Sequence, residues 1–203
     1  MENTGQSCNA GTRLLVPESL HDKVVDIAKK TAESYIVGDP TDEATQIGPL
    51  ANRAQFEKVM GILEDAEVAG LLPVLGGSEA IPRCNEGYYI QPTIFSNLSR
   101  DQFIANQEVF GPVLAVMPYK NLKEAIDIAN GTQYGLSAYI YAKDNATAEP
   151  IAQQMRCGMV HINGAPLAAE APFGGYKQSG NGREWGLYGL HEFLEVKAVM
   201  KTS

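Results

Sequence analysis

The sequence predicts an α/β fold: a mostly parallel sheet flanked by helices, with a further strand at the C-terminal end. Between Pro112 and Asn163, β-rich runs alternate with amphipathic helical runs across short connectors, the pattern of crossovers in a parallel sheet. Two longer helical runs precede that stretch. The last apolar run, Glu192 to Met200, alternates a mixed face with a wholly apolar one, as a half-buried strand does. With 203 residues, 44% of them hydrophobic and 20% charged, the chain can bury a core without disulfides or metals.

Apolar residues at 20, 24, 25, 27, 28, 32 and 35 repeat at helical spacing after Pro17, with Ser19 as the expected N-cap. A second helix is expected from Asn52, where Gln55 completes a capping box, and it would bury Phe56, Val59, Met60, Leu63 and Ala66 before Gly70. Gly38 to Leu50, rich in Asp, Pro and Thr, reads as the loop between them. Val113 to Tyr119 reads as a strand. Asn121 and Glu124 then cap a helix through Leu122, Ala125, Ile126 and Ala129, which Gly131 stops. Leu136 to Ala142 is strand-like again. Pro150 is expected in the first turn of a helix that uses Ile151, Ala152 and Met155 and ends at Gly158, before a strand from Met159 to Asn163. Gly164 to Arg183, rich in glycine, reads as an ordered loop or a flexible lid, and at that length it is functional more often than not. No internal repeat or low-complexity segment interrupts this order.

Charge and composition exclude several classes. Sixteen basic against 24 acidic side chains give a net charge of −8, so the basic footprint of a nucleic-acid binder is missing and no nucleic-acid partner is expected. Seven acids against two bases between Asp39 and Glu67 are spread over a loop and a helix, which reads as a solvated face. The apolar, charge-free runs Val68 to Leu75 and Val113 to Met117 fall far short of the roughly 18–20 residues of a membrane helix, so no membrane partner is expected. The first residues show no basic segment followed by an apolar one, hence no secretory signal. Three cysteines, at 8, 84 and 157, with no Cys-x-x-Cys pair, argue for a reducing, cytoplasmic setting and against a disulfide framework or a metal site.

The glycine-rich loop fails as a phosphate cradle. Asn181 follows Gly180 where a Walker loop needs lysine, and Trp185 stands where a dinucleotide fingerprint starting at Gly180 and Gly182 needs a third glycine. Cys8 lies among Asn3, Thr4, Gly5, Gln6, Ser7 and Asn9, a small and polar setting unlike that of a buried structural cysteine. A thiolate there becomes a nucleophile if backbone N–H groups, a helix dipole or a cation lower its pKa. Cys84 and Cys157 read as ordinary residues. His21, His161 and His191 offer no metal spacing and no defined placement against Cys8, so each reads as a packing or surface residue.

Three segments together go beyond composition: Asn3-Thr4-Gly5-Gln6-Ser7-Cys8, Glu108-Val109-Phe110-Gly111-Pro112-Val113, and Pro172 through Glu184. In that order and at those separations they resemble the motifs in the C-terminal part of the NAD(P)-dependent aldehyde dehydrogenase superfamily, and the similarity runs on to Glu195-Val196-Lys197. The resemblance implies a catalytic domain that oxidises an aldehyde to a carboxylic acid with NAD or NADP. Cys8 holds the place of the nucleophile that forms a thiohemiacetal and then a thioester. Glu108 corresponds to the carboxylate on the nicotinamide ribose, and Phe110 to the aromatic beside it. Gln55 and Lys58, three residues apart on one helix face, resemble positions reaching toward that ribose. Phe173 resembles the aromatic of the aldehyde tunnel, Ser7 and Asn9 are expected to touch the substrate, and Glu184 resembles a carboxylate on a water or proton route. Arg183 and Glu195 resemble charged residues of the subunit interface.

The resemblance also sets the expected organisation: residues 1–191 as an N-terminally truncated catalytic domain and 192–203 as an oligomerisation strand. The dinucleotide-binding domain, the glutamate that activates the deacylating water and the oxyanion-hole asparagine are expected upstream of this sequence. The isolated chain is therefore expected to fold but not to turn over, and to form a homo-oligomer or associate with the missing N-terminal half. Two other readings stay open on the sequence: a non-catalytic module that assembles with full-length subunits, and a cofactor-independent thiol esterase using Cys8.

Overall fold

In the computed structural model, which describes residues 1–79, 81 and 86–202, the chain divides into two compact units, Met1–Ile128 and Ala129–Ser203. The division falls inside a helix. Cys84 lies outside the described residues.

In the first unit, strands β1 (Arg13–Pro17), β2 (Thr93–Phe95) and β3 (Val113–Tyr119) form one sheet in the order β1-β3-β2. Both ladders are parallel, with Arg13 opposite Ala115 and Thr93 opposite Val113. Successive side chains of a strand point to opposite faces, so β3 supplies two cores. Val113, Ala115 and Met117 pack with Val59, Leu63 and Ala66 of helix α2 (Arg53–Val68), whereas Val116 packs with Val25 and Ala32 of helix α1 (His21–Glu33). Phe95 and Ile94 of β2 divide between the same two cores. A parallel sheet covered on both faces needs nearly continuous apolar strands, and β3 has one.

The helix boundaries follow local chemistry, with two differences from expectation. Asn52 caps α2, its Oδ1 accepting from the Gln55 N–H at 2.9 Å, which contributes about 1 kcal/mol. The capping box is only half formed, because the Gln55 side chain points elsewhere. Ser19 does not cap α1. It sits in a 3-10 turn, Glu18–Leu20, that leads straight into the helix. The expected cap is complete at helix α3 (Leu122–Asn130): Asn121 Oδ1 accepts from the Glu124 N–H at 3.0 Å, while Glu124 reaches back to the Lys120 N–H at 2.7 Å.

In the second unit, β4 (Ser137–Ile140) and β5 (Met159–Ile162) pair in parallel, joined by helix α4 (Asn145–Ala152). The expected run of strands in one sheet is thus divided between two sheets, because β3 pairs with β1 and β2 instead of β4. Asp144 caps α4 through the Thr147 N–H at 2.8 Å, so Pro150 falls in the second half of the helix and not in its first turn. Pro150 cannot donate an intrahelical bond, and the helix stops two residues later instead of reaching Gly158.

The glycine-rich segment is an ordered loop. Tyr176 N–H donates to the Gly135 carbonyl at 2.8 Å, and Lys177 Nζ donates to the carbonyls of Asn130 and Thr132 at 2.8 and 2.9 Å. A Cβ on Gly158 would overlap the Gly174 carbonyl, so glycine is required where the loop crosses the start of β5. Residues Gly186–His191 form a short helix, α5. The expected strand over 192–200 does not form: this stretch has no ladder, and Phe193, Val196 and Met200 are exposed. A strand needs a neighbouring edge, and no described residue of the chain offers one to this stretch.

Among the described residues, no helix is long and apolar enough to cross a membrane, and no group of three or more His, Cys, Asp or Glu could hold a metal ion.

Candidate active site

The segment before Cys8 bends through three successive left-handed residues, Asn3 (φ 50°), Thr4 (φ 56°) and Gly5 (φ 71°). A β-branched residue rarely adopts this conformation, so surrounding bonds must hold it. Buried Thr4 donates its hydroxyl to the Gly48 carbonyl at 3.2 Å, Asn3 Nδ2 donates to the Gln6 carbonyl at 2.9 Å, and Gln6 Oε1 accepts from the Ala51 N–H at 2.9 Å. The loop leading to Cys8 is thereby pinned to the residues that lead into α2.

Gly5 makes the second attachment, where a Cβ would overlap the carbonyl of Gly111. A Cβ on Gly111 would in turn lie 3.1 Å from Val59 Cγ2 on α2. The Cys8 loop therefore meets the Glu108–Pro112 loop backbone to backbone, and that loop in turn packs on the Val59 side chain of α2. Cys8 stands exposed in the turn that follows, with Ser7 Oγ donating to Asn9 Oδ1 at 3.1 Å and the Ala10 N–H donating to the Ser7 carbonyl at 3.0 Å. Cys157, the other described cysteine, is half-buried and its Sγ donates to the Met159 carbonyl at 3.1 Å. Burial pushes the Cys157 thiol pKa up, against smaller opposing effects of that hydrogen bond and of Lys177, which disfavours its thiolate.

The Glu108 loop is held from α2. Gln55 Nε2 donates to the Val109 and Phe110 carbonyls at 3.1 and 2.9 Å, and Lys58 Nζ donates to the Glu108 carbonyl at 3.0 Å. Both side chains are thus engaged with the loop backbone, a bracing role the sequence did not reveal beyond their shared helix face. Buried Val109 anchors the loop, and Phe110 adopts φ 59°. The Glu108 carboxylate is exposed and has no hydrogen bond or ion pair among the described residues. A free carboxylate beside a half-buried aromatic ring fits a ribose diol, since its two oxygens accept from paired hydroxyls.

In the second unit, Phe173 and Glu184 exchange both backbone hydrogen bonds at 2.7 Å as an isolated antiparallel bridge. The next residue, Trp185, places its ring 5.1 Å from that of Phe173. Nothing in the composition singled out Trp185. Glu184 is exposed, and Arg183 ties the loop together by donating Nη1 to the Gly175 carbonyl at 3.0 Å.

Two of the three histidines are engaged in structure. His21 Nδ1 lies 3.0 Å from Asp22 Oδ1 and its Nε2 accepts from the Asn97 N–H at 3.1 Å, so the one histidine in the unit of Cys8 is not free to act as its base. Buried His161 stacks on Tyr139 at 4.8 Å and bonds the Ala165 carbonyl through Nδ1 at 2.8 Å. His191 ends α5 on the surface.

Known proteins are similar to this chain in sequence and fold. The aldehyde dehydrogenase family matches residues 1–199. A 3-succinoylsemialdehyde-pyridine dehydrogenase of a Pseudomonas species is 50% identical over 200 residues, covering 98% of this chain and 42% of that protein. Among solved structures, a mutant aldehyde dehydrogenase C of Pseudomonas syringae in complex with NAD+ and octanal aligns with TM-score 0.94 and 42% identity, covering 97% of this chain and 40% of that one. An aldehyde dehydrogenase of Mycobacterium tuberculosis in complex with NAD+ aligns with TM-score 0.90 and 38% identity, covering 94% and 39%. The chain spans about two-fifths of the length of these relatives. With the family matched almost from end to end and its fold reproduced in both units, the chain belongs to the aldehyde dehydrogenase family.

Proposed function

We propose that this chain is the catalytic portion of an aldehyde dehydrogenase that oxidises an aldehyde to a carboxylic acid with NAD or NADP. The observation that carries the reading is the exposed Cys8 on a loop stacked, through Gly5 and Gly111, against the loop of Glu108 and Phe110. Cys8 sulfur adds to the aldehyde carbon and gives a thiohemiacetal, whose oxyanion is held in part by the backbone N–H at the cysteine. When bound, the nicotinamide supplies the hydride acceptor. Loss of hydride from the former aldehyde carbon leaves a thioester on Cys8. Water then cleaves the C–S bond, releasing the acid and returning the thiol.

The other residues position these partners. Glu108 accepts from the ribose hydroxyls, Phe110 packs beside the nicotinamide, and Gln55 and Lys58 hold that loop in place. Ser7, Asn9 and Phe173 touch the aldehyde, and Glu184 lies on the route of water or protons. Arg183, Glu195 and residues 192–203 serve subunit contacts in a cytoplasmic homo-oligomer. The rest of the cofactor site belongs to the part of the relatives outside this sequence, so the isolated chain folds without turning over.

The test is aldehyde-dependent NADH formation by the purified chain, alone and after addition of the remaining portion of the Pseudomonas relative. Activity only in the combination is the expected result. Activity of the chain alone overturns the claim of dependence, and no activity in a stable combination overturns the oxidation reading. A second reading, an assembly module without catalysis, draws on the exposed Phe193, Val196 and Met200. Co-purification with a full-length subunit, without any gain of activity, would favour it.

A further inference from the structure

We infer that Trp185 is a positioning residue: it fixes the ring of Phe173 so that the aldehyde site favours substrates with an extended apolar body over short ones. The inference rests on the reading of Phe173 as part of the aldehyde tunnel. Trp185 has φ 64° and ψ 162°, a region of backbone conformation that is essentially glycine's own. A bulky residue persists there only if its neighbours over-determine it, and they do on both sides. Glu184 is locked to Phe173 by two backbone hydrogen bonds of 2.7 Å. Gly186, at φ 56°, donates its N–H to the Ala169 carbonyl at 3.1 Å, and a Cβ there would overlap the Glu170 carbonyl. The turn therefore fixes where the indole leaves the backbone, and its contact with Phe173 sets the ring's orientation.

What this costly geometry achieves is an aromatic contact, with ring centroids 5.1 Å apart and planes at 49°, within the range where such pairs attract beyond their buried area. The pair is not core packing. Neither ring belongs to a buried hydrophobic cluster, and Trp185 remains 42% exposed. Two partly exposed rings locked at a fixed angle form a rigid apolar wall. Such a wall rewards each added methylene of a chain that lies along it and gives little to a two-carbon aldehyde.

Trp185 is the one tryptophan of the sequence, so its emission reports this wall directly. The 203-residue chain would be titrated with octanamide and with acetamide, unreactive amides of a long and a short acyl group. Octanamide is expected to change the Trp185 emission saturably, acetamide to leave it unchanged, and Phe173→Ala to weaken the octanamide response about fivefold. No saturable response to octanamide, or one indifferent to Phe173→Ala, overturns the inference.

A second arm uses the chain combined with the remaining portion of the Pseudomonas relative. Trp185→Gly, which relaxes the backbone and so keeps the fold, is expected to lower the ratio of kcat/KM for octanal over acetaldehyde about fivefold, and Trp185→Phe to restore it. An unchanged ratio overturns the inference. Absence of NADH from both aldehydes in the unaltered combination counts against aldehyde oxidation itself, and the emission titration then judges Trp185 separately.

Discussion

Gly5 and Gly111 meet backbone against backbone, at a separation that leaves no room for a Cβ on Gly5. The contact joins two segments a hundred residues apart in sequence, one leading to Cys8 and the other carrying Glu108 and Phe110. Gly5→Ala both clashes with the Gly111 carbonyl and strains a φ of 71°, so it is expected to destabilise the first unit by about 2–4 kcal/mol. Gly111→Ala meets only the Val59 methyl groups, at 3.1 and 3.2 Å, and is expected to cost less. Urea denaturation of the two variants reads the difference, and equal stabilities would contradict it.

Gln55 braces the Glu108 loop through two carbonyls that lose their partner in Gln55→Ala. The expected loss is about 1–3 kcal/mol. Hydrogen exchange should accelerate locally, over residues 108–112, while the sheet core of β3 stays protected.

The Asp144 carboxyl is held below the usual carboxylate range by the Thr147 hydroxyl and N–H. A depressed folded-state pKa means stability that is fully present above the unfolded value, near pH 4, and is lost as pH falls through the native value. Asp144→Asn keeps a capping oxygen but does not titrate. Its unfolding midpoint should therefore vary less than that of the wild type across the acid range, while Asp39, bonded in the same way to Thr41, still contributes.

Residues beyond Leu194 bury little: Val196 is 99% exposed and Met200 85%. Deleting 195–203 is expected to leave the thermal midpoint of the chain within about 1 °C, since exposed side chains contribute little to stability. The same deletion should abolish self-association measured by sedimentation, if residues 192–203 serve subunit contacts.

The parts of this fold that were legible in sequence are those set by neighbours along the chain. Asn52, Asn121 and Glu124 announced two helix starts, and the apolar run from Val113 to Tyr119 announced the central strand. Pairing is set by distant residues, and there the reading failed: β1 and β2 are too short and too uniformly apolar to show a period, yet they flank β3. Pro150 was misplaced because the stronger local signal, the Asp144 cap with Thr147, begins six residues before it. The alternation over 192–200 is real, but alternation describes a face and not a partner. For the proposed site residues, the motifs pointed to Cys8, Glu108 and Phe173, whereas the bracing by Gln55 and Lys58 and the indole on Phe173 exist only in three dimensions.

Cys8 as the bond-forming residue is the central claim, and single-turnover oxidation tests it most directly. The chain, combined with the remaining portion of a relative, would be mixed with NAD+ and octanal and followed for NADH within the first turnover. The wild type is expected to give one NADH per site, and Cys8→Ala none, while Cys157→Ala keeps the full amplitude. An undiminished amplitude in Cys8→Ala would contradict the account.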